Sequence, residues 1–421
     1  MTAVLILVVF LLFAGLMMTR RVPAILAIPA MAVAVALVAR TGPAVILDQV
    51  VTQGATRLAG QYLMVVAGAM LGRIVMQTGI AESIIKRAAE FGGDRPMIVA
   101  GTMMVAVAWL FTTLTGLGAV MMVGSLALPI LMSIGVPRRL SALFFLLAFG
   151  LGFVFNIGMW GFYQGTFGID PTSIRQFASV LAVIDGGVLI VFAFLAARRM
   201  RQEGAWAVET QPALPPVERT VPLIALLVPI LPLGLHAGLG VPVVASFLLA
   251  AIVGVLVTRP REMVRQLSSA AVKGVEDVAP AVILMVGIGM LLNATMLPAV
   301  KASVSPLLGG IPLRSPLVYV LFFGLLSPLA LYRGPLNPYG IGIGLYLLIR
   351  DLDLLPPLAL LAAVMSVVQV QTICDPTNTQ NVWVANYVGV RVEELTRHVL
   401  LFKMAVCLLG LLAAVWLYLW R

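Results

Sequence analysis

The chain has 421 residues, 61% of them apolar and only 10% charged, with a mean hydropathy of +1.09. That composition excludes a soluble globular domain, and the period-2 alternation over about ten-residue units that marks an outer-membrane barrel is absent. The formal charge of +10 sits mostly in short connections between apolar runs, where it sets orientation and meets lipid, so the expected partner is the bilayer and not nucleic acid.

In chain order, the apolar runs predict helices over 2–18, 23–40, 61–79, 139–165 and 177–199, with the uncharged stretch 96–137 before the fourth. The order then recurs: helices over 220–236, 240–257, 278–297, 355–388 and 396–420, with the uncharged stretch 316–349 again before the fourth. An odd number of spans per half makes the halves inverted. One constant shift places Thr41, Pro43 and Gln49 on Thr258, Pro260 and Gln266, and Gly92-Gly93 on Gly309-Gly310. The fold class expected is therefore an all-α polytopic membrane protein, about ten transmembrane helices plus two re-entrant hairpins in two inverted repeats.

The predicted halves are residues 1–204 and 220–421, joined by a cytoplasmic linker over 205–219 in the longest polar stretch of the chain. With the N-terminus outside, most of the 27 Lys and Arg, Arg20, Arg21, Arg73 and Lys403 among them, fall in cytoplasmic connections. Arg40, Arg57, Arg175, Lys301, Arg314, Arg350 and Arg421 fall outside. The positive-inside rule thus places both termini outside the cytoplasm of a cell (inner) membrane protein. No cleaved signal is expected, because Arg20-Arg21 follows the first apolar run.

Arg333 is the one charge between Pro316 and Ile349. Two arms of about 16 residues, at roughly 1.5 Å each, reach about 24 Å, short of a hydrocarbon core of about 30 Å, so a re-entrant hairpin with its tip at Tyr332–Pro338 is expected. The matching tip in the first half is Thr112–Gly118, although 96–137 is also long enough for two full spans.

After each hairpin comes an apolar helix with a polar interruption: Asn156–Gly161 in the first half, Cys374–Asn381 in the second. Pro376 breaks the ladder where Asp375, Thr377, Asn378, Thr379, Gln380 and Asn381 cluster. A broken helix offers N–H groups to an anion at one half-helix start and carbonyls to a cation at the other end.

In this order of elements the whole chain resembles the ion transporter superfamily, which includes the divalent-anion/sodium symporters and the citrate, gluconate and C4-dicarboxylate carriers. The resemblance implies an elevator-type homodimer, with scaffold segments 1–95 and 220–313 and transport segments 96–200 and 314–421. In the divalent-anion symporters the hairpin tips carry Ser-Asn-Thr signatures. Here the tips read Thr113-Leu114-Thr115-Gly116 and Arg333-Gly334-Pro335-Leu336-Asn337.

The expected substrate is a small organic anion, a di- or tricarboxylate, coupled to a proton or sodium gradient. Arg333 is its charge partner, with Asn337, Thr113, Thr115, Asn156, Thr377, Asn378 and Asn381 as hydrogen-bonding groups. Asp375 is the candidate coupling carboxylate, with Gly116, Gly158 and Thr379 beside it, and a sodium ion would sit near Thr115, Asn156 and Asn378. The alternative role for Arg333 is a static pair with Asp375 that holds hairpin against broken helix. No P-loop is present and no cofactor is expected. A cation/proton antiporter is the rival, which a fixed guanidinium opposes. An intramembrane enzyme is a remote third, because the deep ionisable set is only Arg333, Asp375 and an Asp185 without an obvious partner.

Overall fold

The computed structural model describes residues 2–19, 21–93, 95–202, 221–340 and 342–420. The expected linker over 205–219 lies outside the described residues. The described chain runs through α1 (Thr2–Met18), α2 (Ala24–Val38), α3 (Pro43–Gln77), α4 (Ile80–Gly92), α5 (Pro96–Phe111) and α6 (Gly116–Ser133). It continues with α7 (Arg138–Val154), α8 (Ile157–Phe167), α9 (Pro171–Gln202), α10 (Val243–Thr258), α11 (Pro260–Met296) and α12 (Pro298–Leu308). The last five are α13 (Pro316–Arg333), α14 (Gly342–Asp351), α15 (Pro357–Cys374), α16 (Thr379–Val388) and α17 (Val392–Leu419). No strand occurs among the described residues.

The protein is a multi-pass, all-helical membrane protein. Among the described residues 7 helices are long and apolar enough to cross a bilayer, or up to 8 with the bent pair α7–α8 taken as one span. Of the ten helices expected, α1, α2 and α10 are shorter apolar helices of 15 to 17 residues, and the similarly short α5 is an arm of the first expected hairpin.

Proline sets many of the starts. Pro43, Pro96, Pro260, Pro298, Pro316 and Pro357 each open a helix, where their missing N–H costs nothing. Asp170 caps α9, accepting the Ser173 hydroxyl at 2.6 Å and the Ser173 N–H at 3.0 Å, and these bonds hold its carboxyl below the ordinary value.

Three sequence expectations change. The helices expected from 61 and from 278 begin at Pro43 and Pro260, because their first turns are polar and amphipathic and do not register as apolar runs. The helix expected over 220–236 is broken into Leu223–Leu227, Leu231–Leu233 and Gly234–Gly238, since Pro229 and Pro232 remove successive donors. Lys403, assigned to a cytoplasmic connection, is 1% exposed within α17 and pairs at 2.7 Å with Asp185 of α9, which therefore does have a partner.

The long helices α3 and α11 pack against each other, and α11 also lies against α2. They meet at reciprocal glycines: a Cβ on Gly289 would stand 2.3 Å from the Gly54 carbonyl oxygen, and one on Gly54 2.7 Å from the Met290 Cα. Without a hydrophobic drive between helices in lipid, such close backbone contact supplies the attraction. Gly289→Val is therefore expected to destabilise the protein by about 1–3 kcal/mol in detergent unfolding, because main chain cannot rotate aside as a side chain can.

α15 is the central element, with 89% of its most apolar window buried. α17 and α7 pack on it, the turn that ends α13 reaches its polar end, and the turn after α5 reaches the break between α7 and α8.

Candidate functional site

Both helices that the sequence marks as interrupted are broken. α7 and α8 bend by 51° at Phe155–Asn156, and α15 gives way to α16 across Asp375–Asn378. Gly168 and Gly389, at φ +69° and +74°, end the two half-helices α8 and α16 in the same left-handed conformation.

At the second break the Asp375 carboxylate is fully buried and gathers donors from two directions. Oδ1 accepts the Thr377 N–H at 2.9 Å and the Thr377 hydroxyl at 2.7 Å within its own loop. From the non-helical turn that ends α13 and the residues after it, Oδ1 accepts the Tyr332 N–H at 3.0 Å, and Oδ2 accepts the Asn337 amide at 3.2 Å and the Arg333 N–H at 3.5 Å. Tyr332 and Arg333 are held at φ +55° and +60°, a conformation that costs a non-glycine residue roughly 1–2 kcal/mol. The carboxylate offsets that strain by collecting the N–H groups that the strained turn aims at it.

The first break is built with the donors reversed. Asn156 Oδ1 accepts the N–H groups of Gly158 and Met159, capping α8, while Nδ2 donates to the carbonyls of Phe111 and Leu114 at the end of α5. An amide suits a hairpin turn that presents carbonyls; a carboxylate suits one that presents N–H groups. Asn378 and Asn381 close the end of α15 in the same way, donating to the carbonyls of Gln371, Thr372, Ile373 and Asp375.

Between the two breaks lies a cavity of about 440 Å³, within the range of small-molecule sites. The turn after α5 and the turn that ends α13, with the residues after it, supply Thr115, Gly116, Arg333 and Tyr339, and the breaks supply Gly158, Gln371, Thr372, Asn378, Thr379 and Gln380. The opposite wall belongs to α3, α10 and α11, with Met64, Phe247 and Met285. Three helix N-termini line it, at Gly116 of α6, Gly158 of α8 and Thr379-Gln380 of α16, each favouring negative charge.

The Arg333 guanidinium reaches this cavity with one long hydrogen bond, from Nη1 to the Tyr339 carbonyl at 3.4 Å, and forms no ion pair among the described residues. The expected alternative of a guanidinium–Asp375 pair is thus not what joins the hairpin to the broken helix: the bonds run through the main chain of Tyr332 and Arg333. Asp277, the one carboxylate among the described residues of the cavity wall, is bound in bidentate fashion by Arg73 of α3.

The expected site residues divide into two groups. Arg333, Thr115, Gly116, Gly158, Asn378 and Thr379 line the cavity. Asn156, Asn337, Thr377, Asn381 and Asp375 stand behind it, holding turns and helix ends in place. Thr113 is fully buried and its hydroxyl bonds back to the Leu110 carbonyl at 3.5 Å, away from the cavity. Of the three residues expected near a sodium ion, Asn156 and Asn378 have amide oxygens already engaged, the latter by Gln371 Nε2 at 3.1 Å. Only the buried Thr115 hydroxyl is without a partner.

Sequence reasoning missed the aromatic wall of Phe149, Phe153, Phe162, Phe247 and Tyr339, which is indistinguishable from lipid-facing residues in an apolar chain. Gln371 and Thr372 carried a signal, being polar within the last turn of a long apolar helix.

No family model matches the chain, and no curated protein matches it in sequence. Among solved structures its fold is similar to that of the YdaH transporter of Alcanivorax borkumensis, at 17% identity and a TM-score of 0.62 over 87% of each chain. It is also similar to MtrF of Neisseria gonorrhoeae, described with a class of antimetabolite efflux pumps, at 12% identity and a TM-score of 0.52 over 89% of this chain and 84% of that one. At such identities the likeness shows a shared fold. One is described as a transporter and the other with a class of efflux pumps, and neither description names the divalent-anion/sodium symporters expected from the sequence.

Proposed function

We propose that the protein is a secondary transporter of a small organic anion, moved across the membrane in the cavity between the two broken helices. The observation that carries this is a guanidinium without an ion-pair partner, facing a cavity on which three helix N-termini converge. Each element favours negative charge, and the only carboxylate among the described residues of the wall is neutralised by Arg73. A cation site would need the opposite arrangement.

The single guanidinium and the phenylalanine-rich wall suit a substrate with one or two carboxylates on an apolar body. A tricarboxylate would bring three charges to one guanidinium, so the sequence expectation is narrowed at that end. That both similar folds belong to proteins described as a transporter and as an efflux pump supports the class.

Support for two inverted repeats comes from the order of lengths: a helix of 35 residues and one of 37, each followed by a short helix, a helical hairpin, a broken pair and a long final helix. The 10-residue α14 covers only about 15 Å, too short to cross, as a re-entrant arm must be. In this picture α1–α4 and α10–α12 form the scaffold, and the hairpins, broken helices, α9 and α17 form the mobile unit of an elevator-type homodimer with both termini outside. The substrate then lies at the boundary between fixed and moving parts.

The test is a thermal-shift panel on the purified protein with aromatic and aliphatic mono-, di- and tricarboxylates beside organic cations, followed by exchange of the best hits in proteoliposomes. Stabilisation and exchange of carboxylates are expected. A response confined to cations would overturn the proposal.

A further inference from the structure

Asp185 and Lys403 have no part in the cavity, yet they form the most completely buried ion pair among the described residues. Lys403 Nζ donates to Asp185 Oδ1 at 2.7 Å, the side chains are 1% and 3% exposed, and Asp185 Oδ2 has no partner. Burying two charges costs several kcal/mol per ion, and apolar residues of similar volume would hold α9 against α17 as well or better. A pair kept there with an unpaired carboxylate oxygen is poorly explained by packing.

Its position is informative. A Cβ on Gly150 of α7 would meet Lys403 Nζ at 3.4 Å and Ile373 Cδ1 at 2.8 Å, so the ammonium lies beside the last turn of α15, just behind the break that carries Asp375. Elsewhere between the same helices, Phe192 of α9 packs edge-on against Phe402 of α17 and Phe144 of α7, with Phe192–Phe402 centroids 5.1 Å apart. The other titratable groups near the pair come from α15: the Cys374 thiol, within electrostatic reach of Lys403, and Asp375 beyond it. On α17 itself the Cys407 thiol donates to the Phe323 carbonyl of α13, and Tyr319 of α13 donates its hydroxyl to the Ala359 carbonyl. α7 faces the ammonium with Gly150, which carries no charge.

We propose that Asp185, paired with Lys403, is the proton-binding site that couples transport, in place of Asp375. Asp375 is unsuited to the task, because each of its oxygens accepts N–H groups that a proton would have to displace. Asp185 offers a free oxygen: a proton adds to Oδ2, the carboxylate becomes a carboxylic acid, and Lys403 stays protonated. The pair then passes from neutral to one positive charge.

Resting on the anion-transporter proposal above, a charge balance follows. Around the helix breaks Arg333 and Lys403 stand against Asp375 and Asp185, so the empty unit is neutral. An anion entering alone leaves a net negative charge in a medium where that is expensive. One proton on Asp185 restores neutrality for a substrate with one carboxylate, and by linkage the proton and the anion each tighten the binding of the other. Proton and anion therefore travel together.

Infrared difference spectra of the protein in lipid, between about pH 9 and about pH 4, test the site without any substrate. The wild type is expected to show the band of a buried protonated carboxyl. Asp185→Asn should lack it. A wild type without the band, or an Asp185→Asn variant that keeps it, overturns the proposal. In proteoliposomes with labelled benzoate, wild-type uptake should rise with an inwardly directed proton gradient and the Asp185→Asn/Lys403→Met protein should not respond to it. Equal gradient responses would also overturn it. Absence of benzoate uptake by the wild type counts against the anion reading, and the infrared result then judges Asp185 by itself.

Discussion

Replacing Asp375 with alanine is expected to lower the stability of the protein by about 3 kcal/mol or more and to abolish transport, because buried donors left without an acceptor cost about 1–3 kcal/mol each. The carboxylate receives main-chain N–H groups of Tyr332, Arg333 and Thr377, the Asn337 amide and the Thr377 hydroxyl, all at a fully buried point. Its loss also removes the compensation for Tyr332 and Arg333 at positive φ, so the turn that ends α13 relaxes and Arg333 leaves its place. Asp375→Asn keeps one acceptor oxygen but turns an amide toward the remaining donors, and is expected to lose about half as much. Chemical unfolding in detergent measures both. An Asp375→Ala protein as stable as the wild type would show that the carboxylate does not hold the turn.

Arg333→Ala is expected to do the opposite: transport falls by about 100-fold or more while stability changes little. Removing one partner of a buried charge pair costs about 2–5 kcal/mol of binding, and among the described residues this guanidinium has no ion-pair partner of its own before the anion arrives. In the empty protein the guanidinium makes a single 3.4 Å hydrogen bond, so little is lost on truncation. Arg333→Lys keeps the charge without the planar fork and should retain part of the affinity. Uptake kinetics read beside thermal unfolding separate the two effects. Unaltered uptake by a folded Arg333→Ala protein would remove the guanidinium from the binding site.

The elements that the sequence revealed most clearly are those that break a rule. Pro376 and the polar run after it, the uncharged stretch with Arg333 at its centre and Asn156 in an apolar helix all stand out because lipid tolerates none of them without a reason. The first turns of α3 and α11 were hidden because polar residues such as Asp48, Gln53, Arg265 and Glu276 read as loop or surface, although the helices run straight through them. Lys403 and Asp185 lie 218 residues apart, and no local pattern announces their contact. The choice of main-chain N–H groups over the guanidinium as partners of Asp375 depends on the left-handed turn at Tyr332-Arg333, which no periodicity encodes. Apolar cavity walls were invisible for a simpler reason: in this chain phenylalanine faces lipid, core and cavity alike.

The most direct measurement is a structure of the protein with a brominated aromatic carboxylate, its position fixed by anomalous scattering from bromine. The account expects the carboxylate within hydrogen-bond distance of the Arg333 guanidinium and close to Thr379-Gln380, with the ring against Phe153 and Phe162. Bromine located only outside the cavity, or a bound carboxylate turned away from Arg333, would contradict it.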